Sequence, residues 1–170
     1  MKKKLIFYLA GPIMNISMEE ASDWRNDITK ALRKLGHDVT DPLTKEDDSY
    51  KGEEPNYLTY LRKNFGYNAR ETLDYVDWIF EADLKLIDQA DAIIANFPRD
   101  VFSVGTAQEL FYNYYIKKQL NFIVTDLEPI TEFSAFLQKT VEKYYHNFES
   151  MINDFSVIEK LISVNDKLLL

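Results

Sequence analysis

Hydrophobic and polar residues along the chain follow two periods, and the changes between them mark the elements. Leu5 to Ala10 is an unbroken apolar run closed by Gly11-Pro12, the pattern of a strand buried on both faces of a parallel sheet. Ala21, Trp24, Ile28, Leu32 and Leu35 then recur at spacings of 3, 4, 4 and 3, one stripe of an amphipathic helix. Ser17-x-x-Glu20 is placed to cap its start and Gly36 to end it. His37 to Thr40 predicts a short second strand, stopped by Asp41-Pro42. Residues 43–66 are polar, and a connection of that length reads as a lid, a binding loop or a disordered insert. A second helix is predicted over residues 68–89, with Leu73, Val76, Phe80, Leu84 and Ile87 as its stripe. Asp91 to Phe97 is a third buried strand. Residues 105–117 form a third helix, and Asn121 to Val124 a fourth strand.

Strands and helices that alternate in this way imply an α/β fold, a parallel sheet with helices on both faces. Ligands of such sheets bind beyond the carboxyl ends of the strands. Here those ends lead into Ala10-Gly11-Pro12, the loop after Thr40, and Pro98 to Thr106. The last forty residues differ. Leu137, Val141, Tyr144, Phe148, Met151, Phe155, Ile158 and Ile162 alternate 4 and 3, a heptad seam. It fits either helices packed on their own domain or a helix paired with a second subunit. Residues 1–130 are thus expected to form the α/β domain and residues 131–170 a helical tail for packing or oligomerisation.

The chain has 170 residues and a net charge of −8. That charge argues against a general nucleic-acid binder, which needs a basic face, but leaves room for a small anionic ligand at a local site. With no cysteine, disulfides, thiolate metal sites and a Cys nucleophile are excluded. His37 and His146 are the only histidines and lie far apart, which disfavours a His-based metal site or a Ser-His-Asp triad. The N-terminal run is short and soon followed by Glu19 and Glu20, so it reads as a strand rather than a signal peptide. No run reaches the roughly 20 apolar residues of a membrane span, and a cytoplasmic location is expected.

The stretch Ser103-Val-Gly-Thr-Ala-Gln-Glu109 lies at the predicted binding edge. Thr106-x-x-Glu109 fits a capping box, and the same turn could hold an anionic nucleophile beside a substrate. Three segments then stand together: FYLAGPI (7–13), EADLKLIDQADAIIANF (81–97) and DVFSVGTAQEL (100–110). Their order and their Asp, Asp, Ser and Glu spacings resemble the nucleoside 2-deoxyribosyltransferase superfamily, which includes the 2'-deoxynucleoside 5'-monophosphate N-glycosidases. The resemblance spans about residues 4–125. It implies a flavodoxin-like doubly wound sheet, here with a C-terminal helical extension. It also implies that Glu109 is the nucleophile, that Asp83 assists proton transfer to the departing base, and that Tyr8 orients the nucleophile. Ser103, Gly105 and Thr106, with Gly11, Pro12 and Ile13, would contact substrate. At position 103, members acting on free nucleosides commonly carry Asp near the sugar 5' end. Those acting on 5'-monophosphates carry Ser. By the same resemblance an active-site residue comes from a partner subunit, and no position of this sequence matches it. After Glu109 the family usually has a Leu-Gly-Tyr-Ala-like run; here it is Leu110-Phe111-Tyr112-Asn113, which removes a close-packing point.

The chemistry is consistent with that assignment. A departing base leaves positive charge on the sugar, a carboxylate can capture it as a glycosyl ester, and a second acid protonates the base. Glu109 in the first turn of a helix would be held ionised by the helix dipole. Asp83, half-buried among Phe80, Leu84 and Ile87, would be held protonated. Asp88 and Asp91 read as structural, and Tyr and Asn side chains of residues 43–66 are either solvated or stacked on a base. The expected activity is cleavage of the N-glycosidic bond of a (deoxy)nucleoside or its 5'-monophosphate, with 5'-monophosphate hydrolysis favoured by Ser103. The alternatives are base exchange on free deoxynucleosides and a non-catalytic nucleotide sensor. No cofactor or metal is expected. The partners expected are a small-molecule nucleoside or nucleotide and further copies of the chain in a homo-oligomer, with no nucleic acid and no membrane.

Overall fold

A computed structural model describes residues 3–14, 16–45, 56–101 and 103–168. Five strands, β1 (Ile6–Ala10), β2 (Asp38–Thr40), β3 (Ala92–Asn96), β4 (Leu120–Val124) and β5 (Lys143–Tyr145), form one sheet in the order β2-β1-β3-β4-β5. Every pairing is parallel, with Phe7 opposite Val39 and Ala92, Ala92 opposite Leu120, and Phe122 opposite Lys143. This is the flavodoxin-like order, and its switch point lies between β1 and β3.

The central strands are apolar on both sides because both faces of the sheet are covered. Phe7, Leu9, Ile94 and Phe122 pack with Ile28 and Leu32 of α1 (Met18–Lys34) and with Phe155, Ile158 and Ile162 of α8 (Phe155–Leu168). On the opposite face Tyr8, Ala10, Ile93, Ala95 and Ile123 pack with Ile87 of α3 (Arg70–Gln89) and Leu110 of α4 (Val104–Tyr115). The start of α1 carries the expected capping box: Glu20 N donates to the Ser17 hydroxyl, and the Glu20 carboxylate accepts from Ser17 N. Gly36 follows its end at φ +89°, a conformation that costs glycine little.

Four expectations are corrected. The polar stretch 43–66 contains α2 (Tyr57–Phe65), capped by Asn56, after a 3-10 turn over Pro42–Lys45. Residues 46–55, Tyr50 among them, lie outside the described residues. The apolar stripe assigned to the second helix does not face the core. Leu73 is 48% and Phe80 61% exposed, and of the five residues only Ile87 is buried. Repeating apolar residues give a helix's period without saying which face a neighbour will cover. Nor is the tail one continuous seam. It divides into α5 (Pro129–Glu132), α6 (Ala135–Thr140), β5, α7 (Phe148–Asn153) and α8. Its Met151, Phe155, Ile158 and Ile162 are buried in the same core as β1 and β4. Finally, the capping box at α4 is shifted. Ser103 is the cap, accepting from Thr106 N at 3.2 Å, and Glu109 lies in the second turn, beyond the strongest reach of the helix dipole.

Several polar side chains fix the frame. Asp91 accepts from Ile6 N at 2.8 Å, while Asp91 N donates to Ile6 O at 2.7 Å, and Asp88 accepts from the Tyr112 hydroxyl. His37 is buried, with Nδ1 accepting from Leu5 N and Nε2 2.7 Å from Glu159 of α8. Buried Asn121 donates to Leu110 O and Thr140 O, and accepts from Asn113. Asn113 thus ties α4 to β4, while Phe111 lies on the exposed side of α4 and stacks on Tyr115.

Candidate active site

Beyond the carboxyl ends of β1 and β3 lies a cavity of about 500 Å³, walled by the β1–α1 loop, α2, α3 and the N-terminus of α4. The topology accounts for its position, since the two chain connections on either side of the switch point leave in opposite directions. Of the residues predicted from sequence, Gly11, Ile13, Asp83, Ser103, Gly105, Thr106 and Glu109 line it. Tyr8 is fully buried beneath its floor, and Pro12 is buried and does not line the cavity.

Tyr8 connects the two carboxylates. Its hydroxyl donates to Glu109 Oε1 at 2.6 Å and lies 3.3 Å from Asp83 Oδ1. A phenol has one proton to donate and a lone pair to accept with. The short contact to Glu109 takes that proton, and a protonated Asp83 can donate to the same oxygen. Burial, and next the charge and hydrogen bond of Glu109, push the Tyr8 pKa well above the usual phenol value, so Tyr8 remains a donor at neutral pH. Asp83 is half-buried, and Ile79, Trp78 and Tyr75 of the same helix line the cavity with it. Phe80, expected to bury it, is turned away from the core and largely exposed.

At the other wall, the Ser103 hydroxyl accepts from Thr106 N and from Thr106 Oγ1 at 2.8 Å. Its own proton is still available as a donor, since those contacts use only its lone pairs. Val104 and Gly105 also line the cavity there, where the first amides of a helix lack partners within it.

Two basic residues at or next to the site were not legible from the sequence, and of the two Arg62 lines the cavity while Arg25 does not. Arg25 is completely buried under the β1–α1 loop. It donates to Gly11 O at 3.0 Å and Ala21 O at 2.6 Å, its Nε is 3.4 Å from Asp41, and its guanidinium lies over the Trp24 ring. A Cβ on residue 11 would come within 2.7 Å of that Trp24 ring, so the close approach of loop and helix requires glycine. The only sequence signal for Arg25 was a cation next to Trp24 in the α1 stripe. Arg62, from the polar stretch expected to be a loop, lines the cavity, as do Asn56 and Leu58. Among the described residues no cluster of His, Asp and Glu could hold a metal ion, and no helix is long and apolar enough to cross a membrane.

Residues 7–161 match the family described as "Nucleoside 2-deoxyribosyltransferase". No curated protein matches the sequence significantly. Among solved structures, the chain is similar to a 2-deoxyribosyltransferase from Bacillus psychrosaccharolyticus, with 20% identity, coverage of 87% of this chain and 90% of that one, and a TM-score of 0.59. It is also similar to a 2-deoxyribosyltransferase from Leishmania mexicana (16% identity, 89% and 98% coverage, TM-score 0.52) and to a CMP N-glycosidase from Clostridium botulinum (14%, 89% and 98%, 0.50). At these identities the structural likeness speaks for the fold. The family match, which spans most of the chain, goes further: this protein belongs to the nucleoside 2-deoxyribosyltransferase family, whose members are enzymes acting on nucleosides or nucleotides.

Proposed function

We propose that the protein cleaves the N-glycosidic bond of a (deoxy)nucleoside or its 5'-monophosphate through a glycosyl ester on Glu109. The observation that carries this reading is the Tyr8 hydroxyl set between Glu109 at 2.6 Å and Asp83 at 3.3 Å on the cavity floor. Those two distances keep the carboxylate oxygens within about 6 Å of each other, closer to the spacing of retaining pairs than to the wider spacing of inverting ones. Glu109, kept anionic by the Tyr8 hydrogen bond, attacks C1' as the base departs. Asp83 gives its proton to the base, so the leaving group is neutral. The ester is then opened by water or by a second base, with Asp83 as the general base that takes a proton from the acceptor.

Ser103 and the first amides of α4 favour a 5'-phosphate at the helix N-terminus, and with it the hydrolysis of 5'-monophosphates. Base exchange on free deoxynucleosides is the second reading. It is favoured by the lack of a second cation beside Arg62 among the described residues that line the cavity, which leaves little counter-charge for a dianion. A homo-oligomer is supported by the apolar surface of Phe80, Phe111 and Ile116, which are 61%, 43% and 64% exposed.

The test is base release from a panel of nucleosides and 5'-monophosphates, with and without a free acceptor base. Glu109→Gln should lose nearly all turnover, because an amide cannot form the ester. A 2'-fluorinated analogue should add mass to the peptide carrying Glu109. Rates near wild type in Glu109→Gln would end this assignment.

A further inference from the structure

The cavity has a distinct outer end. Asp83, Ile79, Trp78 and Tyr75 of α3 all line it, at spacings that share one helix face. Asp83 is at the deep end, against Tyr8. Eight residues of helix separate it from Tyr75, about 12 Å of rise. The helix α2 packs on this outer part, with Tyr57 edge-on to Tyr75 at 4.9 Å. From α2, Leu58 and Arg62 line the same cavity. The Arg62 guanidinium lies 5.3 Å over the ring of Tyr67, which is 71% exposed.

The direction of a bound nucleoside follows from its own covalent structure. The base is carried on C1' and the 5' group on C4', on opposite sides of the ring oxygen. With C1' against Glu109 and the 5' group toward Ser103 on α4, the base is directed along α3. In that pose its faces would meet Ile79 and Trp78, and its far edge, remote from the glycosidic bond, would be directed toward Arg62, all of which line the cavity. A guanidinium offers five N–H donors and no acceptor. It pairs with a carbonyl oxygen and opposes an exocyclic amine, donor against donor.

We propose that Arg62 selects the base. The site would take bases with a carbonyl on the far edge, hypoxanthine and guanine among purines and uracil and thymine among pyrimidines, over adenine and cytosine. This selection rests on glycosidic cleavage at Glu109 and names the substrate class of that reaction. Arg62 acts on the leaving group's identity, not on the bond-breaking step.

Two matched pairs test it: deoxyinosine against deoxyadenosine, and deoxyuridine against deoxycytidine, each also as the 5'-monophosphate. The wild type should favour the oxo member of each pair by about tenfold in kcat/KM, the size that one hydrogen bond from a charged donor gives. Arg62→Gln, whose amide both donates and accepts, should bring the ratio near one, and Arg62→Lys, still donor-only, should keep part of it. A wild-type preference for the amino member, or an unchanged ratio in Arg62→Gln, overturns the proposal. So does a loss in Arg62→Gln that is equal for all bases and confined to monophosphates, which would make Arg62 a phosphate contact. Equilibrium binding of the four nucleosides to Glu109→Gln and to Glu109→Gln/Arg62→Gln, followed by tryptophan fluorescence, reads the same ratio without turnover. No base release from any substrate would end the glycosidic reading, and the binding ratio would still decide the role of Arg62.

Discussion

Replacing Tyr8 by Phe removes one oxygen from a fully buried side chain and leaves the packing volume almost unchanged. That oxygen is the donor 2.6 Å from Glu109 and the link to Asp83. A hydrogen bond to a charged group contributes roughly 1.5–3 kcal/mol. If it holds Glu109 ionised for attack, its loss should lower kcat/KM by roughly ten- to a hundredfold on the acid side of the profile, where Glu109 becomes protonated, and little on the plateau above it. The acid limb of the pH–rate profile should move upward by about one to two units, since one unit corresponds to 1.36 kcal/mol. Base release followed by chromatography across pH 4–8 reads both effects. A second readout is independent of turnover. The Tyr8 pKa is raised in the folded protein, first by burial and then by Glu109. Below the unfolded value of about 10, Tyr8 is protonated in both states and its contribution is fully present. As pH rises above that value the unfolded chain releases the proton and the folded protein retains it, so stability falls toward the raised folded value. Tyr8→Phe should therefore show a shallower alkaline loss of stability than wild type, with Tyr112, Tyr144 and Tyr145 common to both proteins. A Tyr8→Phe enzyme with wild-type rate and an unmoved acid limb would refute the role given to this hydroxyl.

Ser103→Asp separates the cap from the substrate contact, because Asp caps helices about as well as Ser. The fold should hold while kcat/KM for 5'-monophosphates falls by orders of magnitude relative to free nucleosides, from a repulsion of about 4 kcal/mol per charge pair at 4 Å before screening; an unchanged ratio would remove Ser103 from the phosphate site. Phe155→Ala empties a site 3% exposed between the rings of Phe7 and His37. It should cost about 3–5 kcal/mol in urea unfolding, and a loss below about 1 kcal/mol would mean that α8 is not part of the cooperative core. Phe80→Glu places a charge on the exposed apolar face of α3 and should lower the sedimentation mass of an oligomer; an unchanged mass would clear that face of subunit contacts.

The fold was legible wherever one local pattern sufficed. The apolar runs at Leu5–Ala10, Asp91–Phe97 and Asn121–Val124 became β1, β3 and β4, and the Ser17-x-x-Glu20 signal became the capping box of α1. The ordered spacing of Asp83, Ser103 and Glu109 was equally readable, and the structure brings all three to one cavity. β5 was not readable, because Tyr144 falls on the spacing of 4 and 3 that runs from Leu137 to Ile162, so Lys143–Tyr145 reads as part of a helix. It exists because β4 offers an edge to pair with. α2 was hidden for a similar reason. Its apolar residues, Tyr57, Leu58, Tyr60, Leu61 and Phe65, fall within a longer polar stretch, and its packing partner is α3 rather than the sheet.

Local sequence carries the period of each element, its caps and its turns, because these depend on residues within a few positions of one another. From these the chain determined an alternating α/β order and which strands are buried on both faces. Only the tertiary structure decided which helix face is covered. It left Leu73 and Phe80 of α3 exposed, buried Arg25 under the Gly11 loop, and drew Met151, Phe155 and Ile162 into the core beside β1. It alone placed the Tyr8 hydroxyl between Asp83 and Glu109, residues 75 and 101 positions away in sequence. Contacts at such separations arise from packing, and no local period records them.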